Sequence, residues 1–128
     1  MHRITIDIPA LPPSVNHYYL RAGNRTYKSK QAKEFVELVQ YIALSELNRL
    51  RISERPLIKS GRFFYMLIDF QFKTRVFCDP NNMLKLLIDS LEGIVYENDK
   101  WLLPVVISAK ISGSNRTTVQ FKEGEKWL

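Results

Sequence analysis

The stretch from Cys78 to Trp101, CDPNNMLKLLIDSLEGIVYENDKW, constrains this chain more than any other. Met83, Leu84, Leu87, Ile88, Leu91, Ile94 and Val95 recur at three- and four-residue intervals, which paints one apolar stripe on a helix. Asn82, Lys85 and Asp89 then share the opposite face. Pro80 suits a first helical position, because its missing N–H would be unpaired there anyway, and Asp79 before it is a favoured N-cap. Gly93 loosens the last turn, and Glu97-Asn98-Asp99-Lys100 reads as a loop. Acidic groups thus stand at both ends of one helix, and a loop folding back brings them together.

At 128 residues and 45% hydrophobic, the chain suits one domain, residues 1–128, with a real core. The formal charge of +6 favours polyanionic partners, although solvated basic surfaces are common elsewhere too. A single cysteine, Cys78, cannot form an internal disulfide, and no long uncharged apolar run is present, so a cytoplasmic protein without a membrane span is expected. No repeat or low-complexity tract interrupts the chain.

In chain order, residues 3–8 alternate Ile4, Ile6 and Ile8 with polar residues, the period-two pattern of a strand. The prolines at 9, 12 and 13 stop it, and an extended aromatic stretch, residues 14–19, follows. Asn16 and Tyr18, beside Arg21, Arg25 and Lys28, suit sugar and phosphate contacts; the plainer reading is a core tyrosine and a turn-pinning amide. Gly23-Asn24 reads as a hairpin turn. Ser29 is placed to cap a helix running to about Leu50.

Residues 63–72, FFYMLIDFQF, should form a central strand with both faces largely covered. Lys73 and Arg75 then carry positive charge toward Asp79, to hold phosphate or to offset the acids. Residues 105–111 and 116–121 read as a final hairpin around the turn at 112–115. The expectation is an α+β fold with a mixed sheet of about five strands and two main helices.

Carboxylates joined by an amide supply the hard oxygen ligation that Mg²⁺ or Mn²⁺ accepts. Lys85 is placed to offset charge on a phosphate. His2 and His17 stand apart, so an ordinary zinc site is excluded, and there is neither a Walker-type glycine loop nor a nucleophile elbow. Plainer readings exist: Asp79-Pro80 is an ordinary helix start, Lys85 and Asp89 an i,i+4 surface pair, and Asp99 a common loop residue.

The run Asp79-Pro80-Asn81-Asn82-Met83-Leu84-Lys85, then Asp89, Leu91, Gly93 and Asn98-Asp99, resembles the D-x-D-N-x-x-K…D-x-L-x-G…D-D signature of the RusA-type Holliday junction resolvases. Upstream, Pro12-Pro13-Ser14-Val15-Asn16 and Tyr27-Lys28-Ser29 are similar to that family's P-P-S-x-N and Y-x-S elements. The resemblance implies a homodimeric α+β endonuclease that binds four-way DNA junctions and cuts two opposed strands with Mg²⁺, Mn²⁺ being a substitute. It places the catalytic roles on Asp79, Lys85 and Asp99, and the metal ligands on Asp79, Asn81 and Asp99. The DNA-binding set is then Asn16, Tyr18, Lys28, Lys73, Arg75 and Asn82. Two positions depart from the signature: Asn81 and Asn98 stand where the family has acids. The first removes a full charge from the metal site, so a catalytically inactive junction-binding protein is the alternative.

Overall fold

Ile4, Ile6 and Ile8 are all buried while Thr5 and Asp7 are exposed, so the alternation at the start of the chain does produce a strand with one covered face. In the computed structural model, which describes residues 4–14, 19–23 and 25–123, this strand is β1, Thr5–Ile8. A short antiparallel pair follows, β2 (Tyr19–Ala22) and β3 (Arg25–Lys28), with Gly23 at φ +62° in the turn, a left-handed conformation that glycine adopts without strain.

Helix α1, Lys30–Arg49, begins where the sequence indicates: the Ser29 hydroxyl accepts a hydrogen bond from the Ala32 N–H at 3.1 Å. Ala32, Phe35, Val39, Ala43 and Leu47 form its buried stripe, which packs against β1 and a second helix.

Strand β4, Phe64–Phe72, buries every second residue from Phe64 to Phe72, and the residues between them are half-buried. Both faces are thus largely covered, as expected, one wholly by the core and the other in part. β4 is followed by a 3₁₀ turn, Pro80–Met83, and helix α2, Leu84–Leu91. The apolar stripe expected to run on to Val95 leaves the helix at Glu92, whose extended backbone caps it, and Gly93 turns at φ +86°. Val95 and Tyr96 are nonetheless fully buried, so the stripe beyond Leu91 reports packing of a turn rather than continuation of the helix.

A 3₁₀ turn at Asp99–Trp101 leads into β5, Leu102–Ile111, and the last described element is β6, Arg116–Glu123. The strand order is β1-β6-β4-β5, with β5 parallel to β4 and β6 antiparallel to both of its neighbours. Two sequence expectations are corrected here. Among the described residues the main sheet has four strands rather than five, β2 and β3 forming a separate two-stranded sheet. The last two strands are not a hairpin either, because β6 passes the end of β4 to reach its far side.

The turn at 112–115 makes that passage while hydrogen-bonding to β4. The Ser112 N–H donates to the Phe72 carbonyl at 2.9 Å, and its hydroxyl donates to Gln71 Oε1 at 2.9 Å. The core lies between the covered face of the sheet and the two helices, with Ile6, Ile8, Met66, Ile68, Phe70, Leu86, Leu87 and Leu91 fully buried. Each such side chain contributes about 1.5–3 kcal/mol over its exposed state. The architecture is α+β with a mixed sheet and two helices, and no helix among the described residues is long and apolar enough to cross a membrane.

Candidate active site

The sharp exit from β4 places the first acid. After Phe72 the chain runs through the exposed residues Lys73, Thr74, Arg75 and Val76 to Phe77, which stacks on Phe72 with ring centroids 4.2 Å apart. That contact folds the loop back on the end of the strand. The Lys73 N–H donates to Asn115 Oδ1 at 2.8 Å, which ties the same loop to the turn before β6. Lys73 and Arg75 thus stand exposed on the approach to Asp79, with Val76 92% exposed between Arg75 and Phe77.

Asp79 caps the 3₁₀ turn. Its Oδ1 accepts from the Asn81 N–H at 3.0 Å, and its backbone carbonyl accepts from the Asn82 N–H at 2.9 Å. Asp79 and Asn81 are exposed and Asn82 is half-buried. Capping engages one carboxylate oxygen, which leaves Oδ2 to face solvent or a ligand.

Lys85, near the start of α2, places its Nζ 3.2 Å from Asp89 Oδ2, one turn along the helix. The lysine side chain is 54% exposed and the aspartate 30%. The pairing read from the sequence as an i,i+4 contact is present, and it holds the ammonium along the outer face of α2.

Asp99 lies beyond the far end of α2, and its placement depends on a residue that sequence reasoning missed. Glu92 Oε2 accepts from the Asp99 N–H at 2.9 Å. Other backbone donors of this loop are paired too: Gly93 N–H to the Tyr96 carbonyl at 2.7 Å, Val95 N–H to Leu91 at 3.0 Å and, across the fold, Glu97 N–H to Ile58 at 2.9 Å. Asn98 Oδ1 accepts from the Lys100 N–H at 2.9 Å, so this amide caps the 3₁₀ turn that begins at Asp99. The signal for Glu92 was its position inside the Asp89-Leu91-Gly93 pattern, seven residues before Asp99.

Tyr96 sits beneath this loop, fully buried, with its hydroxyl donating to the Ile88 carbonyl. Burial pushes its ionisation far above the ordinary tyrosine range, and the nearby negative charges of Asp99, Glu92 and Asp89 push it further. The three carboxylates therefore gather their field around the end of α2.

Asp79 is anchored at the start of the 3₁₀ turn and Asp99 at the end of α2, while Lys85 joins Asp89 between them. Among the described residues no group of three or more His, Cys, Asp or Glu side chains is placed to hold a metal ion. With an amide at 81, the expected ligand set holds only two carboxylates. Of the expected DNA contacts, Lys28 closes β3 half-buried, and Asn16 and Tyr18 lie outside the described residues. An open groove of about 640 Å³ runs between the Pro9–Ser14 segment and the loop carrying Phe77 and Cys78, with Asn115 on its rim.

The family described as endodeoxyribonuclease RusA matches this chain over residues 9–122. The match takes in the proline-rich segment, α1, β4, the Asp79 turn, α2 and the Asp99 loop. No individual curated protein matches the chain.

Proposed function

The chain belongs to the endodeoxyribonuclease RusA family, whose members resolve Holliday junctions, and from that membership we propose a structure-selective endonuclease that cuts four-way DNA junctions by metal-dependent phosphodiester hydrolysis. The observation that carries the reading is the arrangement along one helical segment: Asp79 at its start, Lys85 on its outer face and Asp99 tied to its end. The donors of Asp79, Asn81 and Asp99 are all oxygen and all exposed, which suits Mg²⁺, with Mn²⁺ as a substitute, and does not suit zinc. When bound, such an ion polarises the scissile phosphate and acidifies the attacking water.

The chain's own residues do the rest. Lys85 offers its ammonium to the phosphate oxygen on which charge grows, and Asp89 holds that ammonium along the helix. Lys73 and Arg75 neutralise phosphates flanking the cut, and Asn82 braces the turn that presents Asp79 and Asn81. Asn16, Tyr18 and Lys28 follow the sugar-phosphate backbone further out. A homodimer supplies two equivalent sites to a substrate with two-fold symmetry, and the protein acts in the cytoplasm as one domain.

Asn81 sets the strength of this activity. At an effective dielectric near 20, each carboxylate contact to a divalent ion is worth several kcal/mol before desolvation, so exchanging one for an amide weakens metal binding by orders of magnitude. A junction-binding protein without nuclease activity is the second reading, and Asn81 is the residue that favours it. Incubation of a synthetic four-way junction with Mg²⁺ or Mn²⁺ separates the two, using this chain, Asn81→Asp and a linear duplex of equal length. Paired nicks from both proteins support the nuclease; nicks from Asn81→Asp alone identify a weakened site; binding without nicks from either removes the enzymatic reading.

A further inference from the structure

Among the described residues of its loop, the Asp99 amide is the donor whose bond reaches back to the side chain of Glu92, the cap residue just past Leu91 at the end of α2. We propose that Glu92 is a positioning residue for metal binding: its carboxylate fixes the backbone of the Asp99 loop against the end of α2 and so aims the Asp99 carboxylate. The proposal rests on the nuclease reading given above.

Three observations carry it. Glu92 is exposed and contributes no apolar burial, so the fold does not need its side chain for the core. The bond spans seven residues and closes the loop from Glu92 to Asp99, whose interior is braced separately through Ile58. Downstream the chain is fixed by Trp101, whose ring meets Phe63 edge-on with centroids 5.1 Å apart, and by the Lys100 ammonium 5.4 Å from the Trp101 ring centre. Between those two braces the Asp99 backbone is held by Glu92. A ligand carboxylate on an unbraced loop must be ordered when the ion arrives, and supporting groups of this kind typically carry about 10–100-fold in metal affinity.

The test uses ¹⁵N-labelled full-length protein with Glu92→Ala, Glu92→Gln and Glu92→Asp. Two quantities are read: the exchange rate of the Asp99 amide without metal, and the Mn²⁺ concentration at half-maximal paramagnetic broadening of the Asp79 and Asp99 resonances. Glu92→Ala is expected to speed Asp99 amide exchange about tenfold and to raise the Mn²⁺ midpoint about 10–100-fold. Glu92→Gln keeps an acceptor oxygen at the same reach and restores most of both values, whereas Glu92→Asp, one methylene shorter, behaves as the alanine variant. Exchange and midpoint unchanged in Glu92→Ala overturn the proposal and leave the nuclease reading standing. A Gln variant as impaired as Ala shows that charge rather than the hydrogen bond is at work, and also overturns it. Absence of Mn²⁺ broadening in the parent chain overturns both this proposal and the metal-dependent reading.

Discussion

The backbone N–H of Lys73 donates to the side chain of Asn115 at 2.8 Å, joining two loops that lie forty-two positions apart in the chain. The bond makes the basic loop after β4 and the turn before β6 one unit. Its net worth is about 0.5–1.5 kcal/mol, so Asn115→Ala should lower the free energy of unfolding by about that amount in urea titration.

The exposed cations of that loop are expected to act through phosphates. Lys73→Ala and Arg75→Ala should each weaken junction binding uniformly across sequences, and each should reduce the slope of log K against log salt by about one. Titrations at several salt concentrations give the slope directly, and an unchanged slope in both variants removes these residues from the interface.

Lys85 and Asp89 are separable by magnitude. An ion pair exposed to this extent is worth at most about 1 kcal/mol, so Asp89→Asn should shift stability by no more than that. Lys85→Ala should slow junction cutting about 100-fold or more while leaving junction affinity within about threefold. Single-turnover cutting and equilibrium binding, measured side by side, check the split.

Restoring the missing charge should strengthen the ion site. Asn81→Asp is expected to lower the Mg²⁺ concentration needed for half-maximal cutting by at least about tenfold. Its effect on junction affinity without metal should have the opposite sign, because one more negative charge faces the phosphates. Gel-shift binding in EDTA and cutting against Mg²⁺ concentration report the two effects.

Tyr96 gives a pH dependence of defined sign. Its ionisation is pushed up in the folded state, chiefly by burial and then by Asp99, Glu92 and Asp89, while the unfolded chain titrates near the ordinary tyrosine value of 10.0. Above that pH the unfolded state loses the proton and the folded state keeps it, so stability is complete below about pH 10 and falls as pH rises. The slope approaches about 1.4 kcal/mol per pH unit well above pH 10, so between pH 9 and 11 Tyr96→Phe should remove a stability loss of about 1.4 kcal/mol in total, read in urea titrations.

Much of this fold was legible because it is written in local periodicity. The stripe from Ala32 to Leu47 with Ser29 before it, and the alternation from Phe64 to Phe72, are short-range patterns whose physical causes lie in adjacent residues. The position of β6 was not legible, since a strand following a turn of hairpin length reads as a hairpin unless its neighbour across the sheet is known. The end of α2 was misread for a related reason: Val95 is buried like a helical residue while lying in a turn.

The candidate site divides in the same way. Asp79, Lys85 and Asp99 were singled out by their spacing and given roles by the family resemblance, and the Lys85–Asp89 contact follows from helical geometry alone. Glu92 escaped notice because a side chain bonding to a backbone amide seven residues later leaves no periodic trace. Asn98 was read as a lost acid, yet its side-chain oxygen caps the Asp99 turn, a task that an amide performs as well as a carboxylate.

The insertion of β6 between β1 and β4 makes the sheet depend on a strand that follows all its other members in the chain. A nascent chain that has not yet extruded Arg116–Glu123 has no strand to join its beginning to its middle, and both β1 and β4 display a bare edge. The brace between Lys73 and Asn115 is delayed with it. The basic loop beside Asp79 therefore takes its final shape only once the residues that follow Asn115 have paired into the sheet.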